Sequence, residues 1–209
     1  MNDLTALLDR MRTQRPVAWD QLPDFALYMD QVLSYMDRQV LRFDEEDALT
    51  ASMVNNYTKS GLVPRAEGKK YNREHLAYLT AICVLKRVMS TRDMDLLIRE
   101  ELRGERTVED GYAAFCESLN SALQAMAQEM EARPEGDTLA DAAIHFALIS
   151  YAAGLASSRY VSLLREERAG EPAHRSKKRK GARLIYAGLC HHHRQLLRSF
   201  RRSGPRTGG

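Results

Sequence analysis

The chain has 209 residues, 31 Lys and Arg against 28 Asp and Glu, a hydrophobic fraction of 44%, twelve Gly and six Pro. That is too apolar for a disordered chain and too poor in Gly and Pro for a fibrous one, and the length allows one or two cored domains. The formal charge of +3 hides a division: residues 159–209 hold fourteen basic and three acidic residues, a balance of +11, while residues 1–158 sum to −8; an asymmetry of this kind marks a polyanion-binding tail.

Cys83, Cys116 and Cys190 are few, odd in number and far apart, so they read as reduced thiols in a cytoplasmic protein and not as a disulfide framework. The N-terminal residues show no apolar leader. Ala142 to Ala156, the most apolar stretch, is fifteen residues long and contains His145 and Ser150. A membrane span needs about twenty, so no transmembrane segment is expected.

Residues 1–21 read as a short amphipathic lead-in. Phe25, Met29, Val32, Leu33, Met36 and Val40 then recur at spacings of three and four, the apolar stripe of a helix, and Asp44 to Asp47 form an acidic connector. Thr50 supplies a side-chain acceptor before Ala51–Ser60, and Gly61 is the residue suited to a left-handed end, which together predict a short helix. Met53, Val54 and Tyr57 fall on its inner side; Ser52, Asn55, Asn56 and Lys59 fall on its outer side. Pro64 forces an extended exit, and Arg65 to Tyr71 read as a small Gly-centred β-hairpin carrying Lys69 and Lys70.

Asn72 caps a helix with Leu76, Leu79, Ile82, Cys83 and Met89 on one side and His75 at its surface. Ser90 with Asp93 opens a further helix that stops at Gly104. Val108, Tyr112, Phe115, Leu119, Ala122, Met126 and Met130 alternate spacings of four and three, a heptad-like stripe suited to a homodimer or to burial within one chain. Asp137 or Thr138 opens a long helix dense in Ala and Gly, expected to pack in a bundle. After Gly170 comes a basic segment with Arg175, Lys177, Lys178, Arg179, Lys180 and Arg183, followed by the stripe Ile185, Leu189, His192, Leu196 and Phe200.

The stretch TASMVNNYTKSGLVPRAEGKKYNREHLAYL, Thr50 to Leu79, resembles the winged helix of MerR-type transcriptional regulators: helix, Gly-Leu-Val-Pro exit, basic turn closing on Tyr71, capped apolar helix. Together with LPDFALYMDQVLSYMD and LKRVMSTRDMDLL, it is similar over residues 22–103 to the bacterial family known as domain of unknown function 1836. The resemblance implies a winged helix-turn-helix head with a β-hairpin wing; it does not cover residues 107–209, whose periodicity adds a helical C-terminal domain, so a mainly α protein is expected. The divisions expected are 1–21, 22–104, 107–169 and 170–209.

The same resemblance implies that Ala51 to Lys59 recognise DNA and that Pro64 to Tyr71 form the wing. Asn55 and Asn56 stand where MerR-type proteins commonly have Arg and Tyr; Asn can bond phosphate or pair bidentately with adenine. The expected function is therefore a sequence-specific, double-stranded DNA-binding regulator acting as a homodimer. Ser52, Asn55, Asn56 and Lys59 would read the groove, Arg65, Lys69, Lys70 and Arg73 would flank it, and Arg175 to Arg183 would form an auxiliary contact.

The alternative is an adaptor whose basic segment docks an acidic partner, RNA or an anionic membrane surface. No phosphate loop, nucleophile elbow or metal-binding spacing occurs, and three consecutive histidines at 191–193 point apart on a helix, so neither an enzyme nor a cofactor nor a metal is expected.

Overall fold

The computed structural model describes residues 3–39 and 48–170. Among them are the helices α1 (Asp3–Thr13), α2 (Met29–Met36), α3 (Ala51–Ser60), α4 (Arg73–Leu85), α5 (Thr91–Glu101), α6 (Val108–Glu131) and α7 (Leu139–Gly170), with a 3-10 turn at Trp19–Gln21. The chain divides into two compact units, Met1–Arg165 and Glu166–Gly209.

Helix α4 is the hub of the first unit. Its Leu76, Leu79, Thr80 and Ile82 are fully enclosed, each apolar one contributing about 2 kcal/mol of burial. Thr80 survives there because its hydroxyl donates to the Leu76 carbonyl at 2.9 Å. Helix α2 packs on α4 through Val32 and Met36, α3 packs on α2, and α6 covers α4 and α1. The beginning of the heptad-like stripe of α6 is used within the chain: Tyr112 is buried, with Val108 and Phe115, and Cys116 beside them, against the same core, while Ala122 further along is exposed. Tyr112 also donates from its hydroxyl to the Val17 carbonyl at 2.8 Å, fastening α6 to the segment that follows α1.

Helix α2 is shorter than its periodicity predicts. The Leu27 N–H and carbonyl both bond the backbone of Tyr71 at 2.8 Å, and Tyr28 is extended at the head of the helix, which leaves Phe25 exposed outside it. His75, expected at a helix surface, is buried.

The mainly α class stands, but the expected β-hairpin wing does not form. No strand occurs among the described residues; residues 64–71 contain one isolated bridge, Glu67 with Lys70, closed by Gly68 and Lys69 at φ 55° and 63°. The next hydrogen-bonded rung of such a ladder would join Arg65 to Asn72. One of its two bonds, from the Asn72 N–H to the Arg65 carbonyl, has both groups engaged elsewhere: the Asn72 N–H donates to His75 Nδ1 at 3.1 Å, and His75 Nε2 donates to the Arg65 carbonyl at 3.3 Å; the Asn72 carbonyl, needed for the other, accepts from the Leu76 N–H at 3.3 Å. Tyr71, between them, is bonded to Leu27. The imidazole occupies the place of the rung, and a ladder cannot extend.

Helix α7 departs most from expectation. Thr138 accepts from the Asp141 N–H at 3.1 Å at its start, yet Val161 is its one buried residue. It is long and apolar enough, by length and composition alone, to cross a membrane.

Candidate nucleic-acid interface

Helix α3 is fixed at both ends by local chemistry. Thr50 accepts from the Met53 N–H at 3.2 Å, and Gly61 turns the chain at φ 79°, where any side chain would be strained. Val54 anchors the inner face at zero exposure, with Tyr57 half-buried beside it. Burial, and then the neighbouring Cys83, pushes the Tyr57 phenol up from its ordinary range, so it stays neutral.

At 100° per residue, Ser52, Asn55, Asn56 and Lys59 lie within one third of the helix circumference, and all four are exposed. The outer face therefore presents two carboxamides, a hydroxyl and one ammonium, each able to bond a ligand, with no acidic group among them. A ten-residue helix is about 15 Å long and about 10 Å across, dimensions that suit the roughly 12 Å major groove.

The exit from α3 folds back onto it: the Leu62 and Val63 N–H groups both donate to the Tyr57 carbonyl, at 2.9 and 3.2 Å, and both side chains are buried. That anchoring projects Pro64 to Lys70 as a turn on which Arg65, Lys69 and Lys70 are exposed. Lys70 lies 5.2 Å from the ring centre of Tyr28, itself half exposed, and Phe25 is exposed nearby in the chain.

The flank residue Arg73 is placed differently from the other cations. It is half-buried with its guanidinium 5.8 Å from the centre of the Trp19 ring, and it serves the packing of α4. The sequence holds no local signature of Tyr28 as a neighbour of the basic turn, because it is the distant Leu27–Tyr71 pairing that brings it there. Arg175, Lys177, Lys178, Arg179, Lys180 and Arg183, the stripe from Ile185 to Phe200, Cys190 and the histidines 191–193 lie outside the described residues, as does the acidic connector 44–47. Among the described residues no three His, Cys, Asp or Glu side chains gather as a metal site.

A family model described as Domain of unknown function (DUF1836) matches residues 17–115, which takes in α2 to α5 and the beginning of α6. No curated protein and no solved structure matches the chain.

Proposed function

We propose that the DUF1836 segment is the DNA-binding head of a bacterial-type transcriptional regulator. Helix α3 enters the major groove; Asn55 and Asn56 offer the bidentate carboxamides suited to adenine, with Ser52 and Lys59 beside them. Arg65, Lys69 and Lys70 on the following turn neutralise flanking phosphates and release counterions.

The observation that carries this reading is the shared exposed face of Ser52, Asn55, Asn56 and Lys59 on a helix whose opposite face is locked into the core. The likeness of Thr50–Leu79 to MerR-type heads supports it, with the basic turn in place of a wing and Arg73 given over to packing. The exposed aromatic Tyr28 adds a surface for sugar or base contact next to Lys70.

Selection of bound fragments from genomic DNA at near-physiological salt tests the reading. A recurrent sequence in the bound pool is the expected result; a pool indistinguishable from the input removes the specific-regulator reading and leaves an adaptor with nonspecific electrostatics.

A further inference from the structure

We propose that the exposed face of α7 is a docking surface for an anionic lipid bilayer, on which the helix lies flat. At 100° per residue, Ile144, Leu148, Tyr151 and Leu155 fall within about a sixth of the helix circumference, and they remain 60%, 61%, 66% and 57% exposed. His145, Phe146 and Ile149, on the other side of this part of the helix, are half-buried. A helix apolar on both sides needs two apolar neighbours. The body of the protein supplies one of them.

A contiguous exposed apolar face marks a protein or a membrane contact, and the charge pattern selects the membrane. A helical seam that recognises another helix carries flanking charges that set partner and orientation; Ala142 to Ser158 contain no Asp, Glu, Lys or Arg. A surface-bound protein is held durably when apolar burial and basic attraction to anionic headgroups act together. This sequence sets the two side by side: residues 171–209, which follow α7, hold eleven Lys and Arg against one Glu. Tyr151 adds an apolar ring with a polar tip, the side chain suited to the headgroup level.

The helix lies on the bilayer and does not cross it. Its run without Asp, Glu, Lys or Arg has seventeen residues, short of the about twenty that a span requires. His145 contacts Glu129 of α6 at 2.9 Å, and Arg165 is paired with Asp93 of α5, so both parts of the helix are tied to the body of the protein by charged or polar groups. Crossing would break those ties, whereas docking through the exposed face keeps them. The lipid surface is independent of the DNA reading: a failure of either leaves the other measurement unaffected.

The test is flotation of the full chain with vesicles of phosphatidylcholine alone and of phosphatidylcholine with phosphatidylglycerol. The Leu148→Glu and Tyr151→Glu variants are run beside it, with circular dichroism of each. A Tyr151→Trp variant is also titrated with anionic vesicles carrying brominated acyl chains, with Trp19 of the unaltered chain as the background. The expected result is flotation with the anionic vesicles, weakened about tenfold or more in each Glu variant with helicity retained. Fluorescence of the Trp at position 151 should be quenched beyond that background, which decides the matter if the Glu variants do not fold. A chain that stays in the soluble fraction, whether single or self-associated, overturns the proposal. So does flotation indifferent to both Glu substitutions or equal on neutral vesicles, or a Trp at position 151 that the bromines do not reach.

Discussion

The buried ring of His75 lies between two backbone segments, accepting from the Asn72 N–H at 3.1 Å and donating to the Arg65 carbonyl at 3.3 Å. One side chain thereby caps the start of α4 and holds the first residue of the basic turn. Replacing it strips partners from both backbone groups. His75→Ala is expected to cost about 2–3 kcal/mol in urea unfolding, more than a lone surface histidine would. A loss within experimental error would mean that the ring does not hold the turn.

The ends of α3 should be separable. Thr50→Ala removes the acceptor for the Met53 N–H and is expected to cost about 1 kcal/mol. A Cβ at Gly61 meets no atom within 4 Å, so Gly61→Ala acts only through its left-handed backbone, again about 1 kcal/mol. Gly61→Asn should recover part of that loss. Thermal unfolding of the three variants gives the comparison; an equal loss in Gly61→Ala and Gly61→Asn would contradict a backbone cause.

Basic residues of the turn and of α4 should behave differently on DNA. Lys69→Ala and Lys70→Ala are expected to weaken binding to every sequence and each to lower the salt slope by about one. Arg73→Ala, whose guanidinium faces Trp19, should leave the salt slope unchanged while lowering stability. Titrations at several salt concentrations, paired with denaturation, would expose an error here as a slope change in the Arg73 variant.

Acid should weaken the helix starts first. The Thr107 backbone N–H and hydroxyl hold the Asp110 carboxyl below the ordinary 3.8, and the Thr138 hydroxyl and N–H do the same for Asp141. A carboxyl whose pKa is lower folded than unfolded stabilises the fold above its unfolded value, and that stability disappears as pH falls through the folded one. Stability should therefore decline on acidification below about pH 4. Asp110→Asn and Asp141→Asn should each flatten that decline, as measured by urea midpoints against pH; an unaltered pH profile would show that the caps contribute nothing.

Features governed by neighbours in the chain were legible in the sequence, and features governed by distant partners were not. Thr50 and Gly61 define α3 because each acts within four residues. The β-hairpin was misjudged because its rung competes with His75 and its second arm pairs with Leu27, 44 residues away in sequence. The same pairing shortens α2: Phe25 fits the helical spacing, but the backbone of Leu27 is bonded to Tyr71. The four polar residues of the α3 face are readable from spacing alone, whereas nothing local separates Arg73 from its basic neighbours; the Trp19 ring that it faces lies 54 residues away in sequence. For α7, the small residues imply close packing, yet Val161 is its one buried residue.

In the proposed function, α3 reads bases through Asn55 and Asn56. The direct measurement is the ratio of affinities for a selected site and a scrambled site of the same length, at fixed salt, for the unaltered chain and for the Asn55→Ala, Asn56→Ala double variant. A ratio on the order of a thousandfold is expected for the unaltered chain, collapsing toward unity in the variant while scrambled-site affinity is retained. An equal ratio in both proteins would contradict it.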